Sequence, residues 1–136
     1  MEDLHIWNPP EVAKPSARYS HCALVPPDFQ LLEIGGQVGV APDGSLAPDI
    51  EGQTRQALQN LDAVLRANGM CYDDVFRLTI HLTSRADLPG YRAASGVLSS
   101  EVPRVATLLF VSGLFDPAWK IEITASAARR HPQMGT

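Results

Sequence analysis

Apolar and polar side chains alternate over Lys120–Ala128. Ile121, Ile123, Ala125 and Ala127 fall on one side, and Glu122, Thr124 and Ser126 on the other, which predicts a strand with one buried face. Val105–Val111 is instead almost continuously apolar, with β-branched residues at both ends, the pattern of a strand covered on both faces. Pro117 bounds the turn expected to join these two strands. Upstream, Val75–Thr83 predicts a strand with Phe76, Leu78, Ile80 and Leu82 inward and Arg77, Thr79 and His81 opposite. Arg18–Val25 and Gln30–Ile34 predict two more, separated by the turn Pro26-Pro27-Asp28. The second runs into Gly35-Gly36-Gln37-Val38-Gly39. Glycines so dense in a strand point to a bulge, a close backbone approach or a ligand.

The period changes to that of a helix over Ile50–Asn68, where Ile50, Ala57, Leu58, Leu61, Val64 and Leu65 form one stripe. Asp49 is placed to cap its start and Gly69 to end it. Such a helix is about 28 Å long, enough to cross a sheet. Gln53, Arg55, Gln56, Gln59 and Asp62 are expected on its solvated face. A second helix is expected over Leu88–Leu98, capped by Asp87, with Pro89 in its first turn and Gly90 and Gly96 weakening it. Residues 1–17, with Pro9, Pro10 and Pro15, predict an extended arm; 18–128 form one domain, and 129–136 a frayed tail. The element order ββαβαββ predicts an α+β fold with one sheet and both helices on one face. The other face is bare, and association of subunits is the natural cover for it.

Composition narrows the class without naming it. The 136 residues are 45% hydrophobic and 19% charged, which is ordinary for a globular domain with a real core. A net charge of −4 argues against a nucleic-acid footprint and against a polybasic membrane patch. Cys22 and Cys71 have no metal-ligand spacing, and His5, His21, His81 and His131 are scattered. No apolar run is long enough to span a membrane, and the start lacks a secretory h-region, so a cytoplasmic protein is expected.

The candidate chemistry lies near the end of the chain. Arg104, just ahead of one strand, and Glu122, on the polar face of the next, could form a site for a small acid, or only a surface ion pair. A lone strand histidine such as His81 is more often a packed residue than a catalytic one.

Taken together, WNPPEVAKPSARYSH, GGQVGVAPDG, DIEGQTRQALQNLDAVLRANG, DDVFRLTIHLTSRADLPGY and KIEITASAA resemble the RidA (YjgF) family of enamine/imine deaminases, over about residues 7–128. The resemblance implies a chorismate-mutase-like fold and a homotrimer whose sheets close into a central barrel. It also implies sites between subunits and hydrolysis of 2-imino or enamine acids, such as 2-aminoacrylate, to 2-keto acids and ammonium, with no metal or organic cofactor. By residue, the family's tyrosine is matched by Tyr19, its Ser-Gly-Gln by Gly35-Gly36-Gln37, and its last-strand glutamate by Glu122. The second glutamate of that strand has become Thr124. The family's arginine is matched by Arg104 in Val102-Pro103-Arg104, whereas a gapless count back from Val111-Ser112-Gly113-Leu114 puts Ala106 there. The asparagine often found in the second helix falls near Arg92.

On this pattern Arg104 would grip the substrate carboxylate with two parallel hydrogen bonds. Glu122 would direct the attacking water, and Tyr19, Gly36 and Ala106 would line the pocket. A binder of small molecules on the same fold is the alternative, and a ribonuclease a distant third.

Overall fold

The computed structural model describes residues 4–98 and 103–132. Parts of the expected arm and tail, and the segment 99–102 with Val102, lie outside these. Eight strands and helices follow in the order β1 (His5–Trp7), β2 (Cys22–Leu24), β3 (Phe29–Val38), α1 (Ile50–Ala67), β4 (Val75–Leu82), α2 (Leu88–Ala94), β5 (Val105–Phe110) and β6 (Ile121–Arg130). The main sheet runs β3-β6-β4-β5, with β4 and β5 parallel and β6 antiparallel to both its neighbours.

This order explains the helix layer. The connections β3–α1–β4 and β4–α2–β5 both step the same way across the sheet. Crossovers of one hand in one direction put their helices on one face. The α+β fold with two helices on one side of a sheet is therefore as expected, but the last two strands are not neighbours. β6 inserts between β3 and β4, while β5 forms the edge. β6 is suited to that place: Ala125 and Ala127, 3% and 0% exposed, let the helix layer come close.

Leu58, Leu61 and Leu65 of α1 pack on Leu78, Ile80, Leu82, Ile121 and Ile123. Each such side chain contributes about 1.5–3 kcal/mol on burial. The Asp49 carboxylate accepts from the Gly52 amide at 2.8 Å, and Gly69 sits at φ +71°, so both ends of α1 are as expected. Gln53 departs from the pattern. It is 1% exposed, its amide donates to the Ala47 and Ala118 carbonyls, and its Oε1 accepts from the Lys120 amide. A polar residue predicted to be solvated is thus the tie between α1 and the approach to β6.

Several boundaries shift, each for a local reason. β3 continues through the glycines to Val38, with a bulge between Ile34 and Gln37. The strand expected over 18–25 divides: Ser20 bridges Val105 at the sheet edge, and Cys22–Leu24 turns away to pair with β1. The arm is thereby tied down, with the His21 amide donating to Asn8 Oδ1 at 2.7 Å. α2 ends at Ala94, followed by a 3-10 turn over Gly96–Leu98. Asp87 makes no side-chain cap, because a 3-10 turn over Arg85–Asp87 precedes α2 and Ser84 caps that turn. β5 is half-exposed in the single chain, with Leu109 45% exposed. The expected tail is partly strand: β6 reaches Arg130, which pairs with Asp28, while Arg129 donates to the Gly69 carbonyl at 2.6 Å.

Candidate functional site

The predicted site residues separate into two groups on opposite sides of the sheet. On the open side, Glu122 lies between Val38 of β3 and His81 of β4. Its carboxyl group packs over Gly36, where a Cβ would stand 2.6 Å from Glu122 Cδ. Glycine leaves room for that approach, and a Cβ there would push the carboxyl group aside. His81 Nδ1 lies 3.1 Å from the Glu122 carbonyl, which can only accept, so this nitrogen carries the proton. Around Glu122 the open face is polar, with Thr124, Thr79 and Thr107 in register across three strands.

Arg104 belongs to the other side. It is 6% exposed, and its guanidinium donates to the carbonyls of Val75 (3.1 Å), Leu98 (3.1 Å) and Tyr72 (2.8 Å). Burial lowers its pKa, opposed by the nearby Asp73 carboxylate. It thereby gathers three segments: the 3-10 turn Tyr72–Asp74, the start of β4 and the turn after α2. The same residue's carbonyl accepts from the Ser20 amide at 2.8 Å. Tyr72 is anchored in turn, its hydroxyl donating to the Leu58 carbonyl; burial and the Asp62 charge push its pKa up to about 12.

Arg104 and Glu122 are not brought together within one chain. Val105 is in register with Arg77, and Glu122 with His81, four rungs further on. That is about 13 Å along the sheet at strand spacing. The reason is the insertion of β6 between β3 and β4, which separates the two elements that carry them.

Beside Arg104 lies a groove of about 1090 Å³. Its floor is Leu78 and Ile80 of β4 with Ala106 and Leu108 of β5. One wall is α2 with the turn that follows, presenting Tyr91, Arg92 and Ser95; the other is the segment from Ser16 to Ser20, presenting Arg18 and Tyr19. Tyr19 is held edge-on to the His21 ring, 5.9 Å between centroids. The His21 Nε2, in turn, lies 2.6 Å from the Ala13 carbonyl. Burial raises the Tyr91 pKa, opposed by its hydrogen bond with Ser95. The groove therefore collects Tyr19, Arg104 and Ala106 of the expected set, and leaves Glu122 and Gly36 on the other face.

No acidic or histidine side chain lines the groove among the described residues, whereas Arg18 and Arg92 are exposed in its walls. Also among the described residues, no cluster of His, Cys, Asp and Glu could hold a metal ion, and no helix is long and apolar enough to cross a membrane.

The family described as Endoribonuclease L-PSP matches residues 10–129, nearly all of this architecture. The chain belongs to this family. Its relatives carry the Rid and YjgF names. The conserved Rid-family protein YyfB of Yersinia pestis superposes with a TM-score of 0.80 at 32% identity, over 94% of this chain and 100% of that one. The YjgF gene product of Escherichia coli superposes with a TM-score of 0.67 at 28% identity, over 74% of this chain and 81% of that one. The RutC-family protein YjgH of Escherichia coli is 45% identical over 49 residues, 36% of this chain. A RutC-family protein of Pyrococcus horikoshii is 40% identical over 58 residues, 41% of this chain. These matches span only 37% and 46% of the two curated relatives.

For this Rid/YjgF-family chain, sequence reasoning passed over Arg18 as a candidate and noted Arg92 only for its alignment. A signal was present at Arg92. On α1, Arg66 has Asp62 one turn away, at 3.3 Å, whereas Arg92 has no acidic residue three or four positions along in either direction.

Proposed function

We propose that this Rid/YjgF-family protein binds a small carboxylic acid of the 2-keto or 2-imino class in the groove over Ala106. Arg92 and Arg18 supply the positive charge, Tyr19 closes one wall, and Arg104 holds the groove in shape from behind. The observation that carries this reading is the lining itself: exposed arginines beside a buried aliphatic floor, and no carboxylate among the described residues that line it. A guanidinium fork matches a carboxylate geometrically and holds it with charge-assisted hydrogen bonds. Cleavage of RNA, the activity in the family's description, would call for an acid–base pair beside a phosphate, and the groove presents neither histidine nor lysine among the described residues.

Titration calorimetry with 2-oxobutanoate checks the reading. Arg92→Gln is expected to weaken binding about tenfold or more, the magnitude of one lost hydrogen bond to a charged group. Unchanged affinity in both Arg92→Gln and Arg18→Gln would remove the groove as the carboxylate site.

A second reading is hydrolysis, favoured by the placement of Glu122 against Gly36. Water adds to C2 of the 2-imino acid, the C2–N bond breaks, and the products are the 2-keto acid and ammonium. Glu122 would take the proton from that water, provided that a second copy brings this face against the groove, as in the homotrimer that the family resemblance implies. With imines generated in situ by an amino-acid oxidase, Glu122→Gln is expected to lose most of the rate and little 2-oxobutanoate affinity. A rate equal to that of the unmodified protein would end the hydrolytic reading and leave binding intact.

A further inference from the structure

We infer that the groove selects acids with a bulky apolar side chain, branched or aromatic, over those with a one- or two-carbon side chain; this rests on the carboxylate site proposed above. Charge and apolar surface are segregated within it. Arg18 and Arg92 are exposed at the rim, while Leu78 and Ile80, each 4% exposed, lie at the bottom with half-buried Ala106 and Leu108. A ligand with an anionic head and an apolar tail meets both surfaces in that order. A short acid held by the rim arginines would leave the half-buried Ala106 and Leu108 in water.

Room points the same way. The groove, at about 1090 Å³, lies just above the roughly 300–1,000 Å³ usual for small-molecule sites. Ala106 is one of the strand residues on that floor. It lies in register with Leu78, and its single methyl leaves space on the floor that a longer side chain would fill. Arg104, two residues earlier, does not compete for this space, because its guanidinium is turned onto the carbonyls of Tyr72, Val75 and Leu98. Selectivity is thus set by a small residue in the strand and by a lining arginine whose guanidinium is held on backbone carbonyls.

The test compares two acids on the full chain by calorimetry. Each methylene buried on the floor tightens binding about fourfold. Unmodified protein is therefore expected to bind 4-methyl-2-oxopentanoate about tenfold or more tightly than 2-oxobutanoate. Ala106→Leu, with its fold checked by circular dichroism, is expected to bring that ratio close to one. Should Ala106→Leu fail to fold, Ala106→Val makes the same comparison with a smaller expected drop. Equal affinities in the unmodified protein would overturn the selectivity while leaving the carboxylate site standing. Binding of neither acid would overturn both. A preference fully retained in the folded variant would also overturn the inference, since the floor at Ala106 would then not be the selector.

Discussion

Arg104 stands where three carbonyls converge, and each would lose its partner if the side chain were removed. A buried acceptor left unsatisfied costs about 1–3 kcal/mol, and the vacated space adds to that. Arg104→Ala is expected to lower unfolding free energy by about 3–5 kcal/mol in urea titration, with Arg104→Lys recovering only part, since an ammonium cannot reproduce the fork. A loss under 1 kcal/mol would show that the carbonyls find other partners. Gly36 matters at the same scale for another reason: its lack of a Cβ lets the Glu122 carboxyl group sit where it does. The most informative single positions are therefore one side chain that is large and buried and one that is absent.

Among the elements, α1 packs its whole apolar stripe into the core and is fastened by more than that stripe. Gln53 joins it to the Ala47 carbonyl on one side and to Ala118 and Lys120 on the other. Gly39 lies so close that an added Cβ would be 2.6 Å from the Gln53 Cα. The end of β3, α1 and the start of β6 therefore meet at one residue. Gln53→Ala is expected to cost about 2–4 kcal/mol by thermal or urea unfolding, against about 1 kcal/mol for the cap change Asp49→Ala. Similar costs for the two would mean that Gln53 acts as surface.

At the scale of the molecule, the helix layer covers one face of the sheet and leaves the other open. That face is polar at its centre, as the alternation in β4 and β6 implies, and apolar toward its edges. Glu122, Thr124, Thr79 and His81 lie in its middle, while Leu31 and Leu109, 63% and 45% exposed, lie on its outer strands. We propose that copies of the chain pack these faces together as a homotrimer. Light scattering at micromolar concentration is expected to give three times the chain mass, and Leu109→Asp to shift it toward one, since a buried unpaired charge opposes association. A monomer mass for the unmodified protein would remove both the trimer and the shared-site version of hydrolysis.

The sequence by itself determined the elements whose evidence is local. Helix α1 with both its ends, the inward Leu78, Ile80 and Leu82 of β4 and the inward positions of β6 follow from periodicity and capping over a few residues. Phe76, expected inward, is instead half-exposed because a register shift buries Val75 in its place. The glycines of β3 marked an irregularity that the structure resolves as a bulge. The family phrases singled out Tyr19, Gly36 and Glu122 as candidates. What only the tertiary structure decided was adjacency. Chain order makes β5 and β6 look like partners, yet β6 lies between β3 and β4, because strand order depends on which long-range pairings bury the most surface. The same limit governed Arg104. Its sequence context fits a carboxylate clamp, but its role turns on three carbonyls from segments 6 to 32 residues away. Arg92 and Arg18 line one groove for the same reason: α2 and the segment before β2 border the same space though they are far apart in sequence.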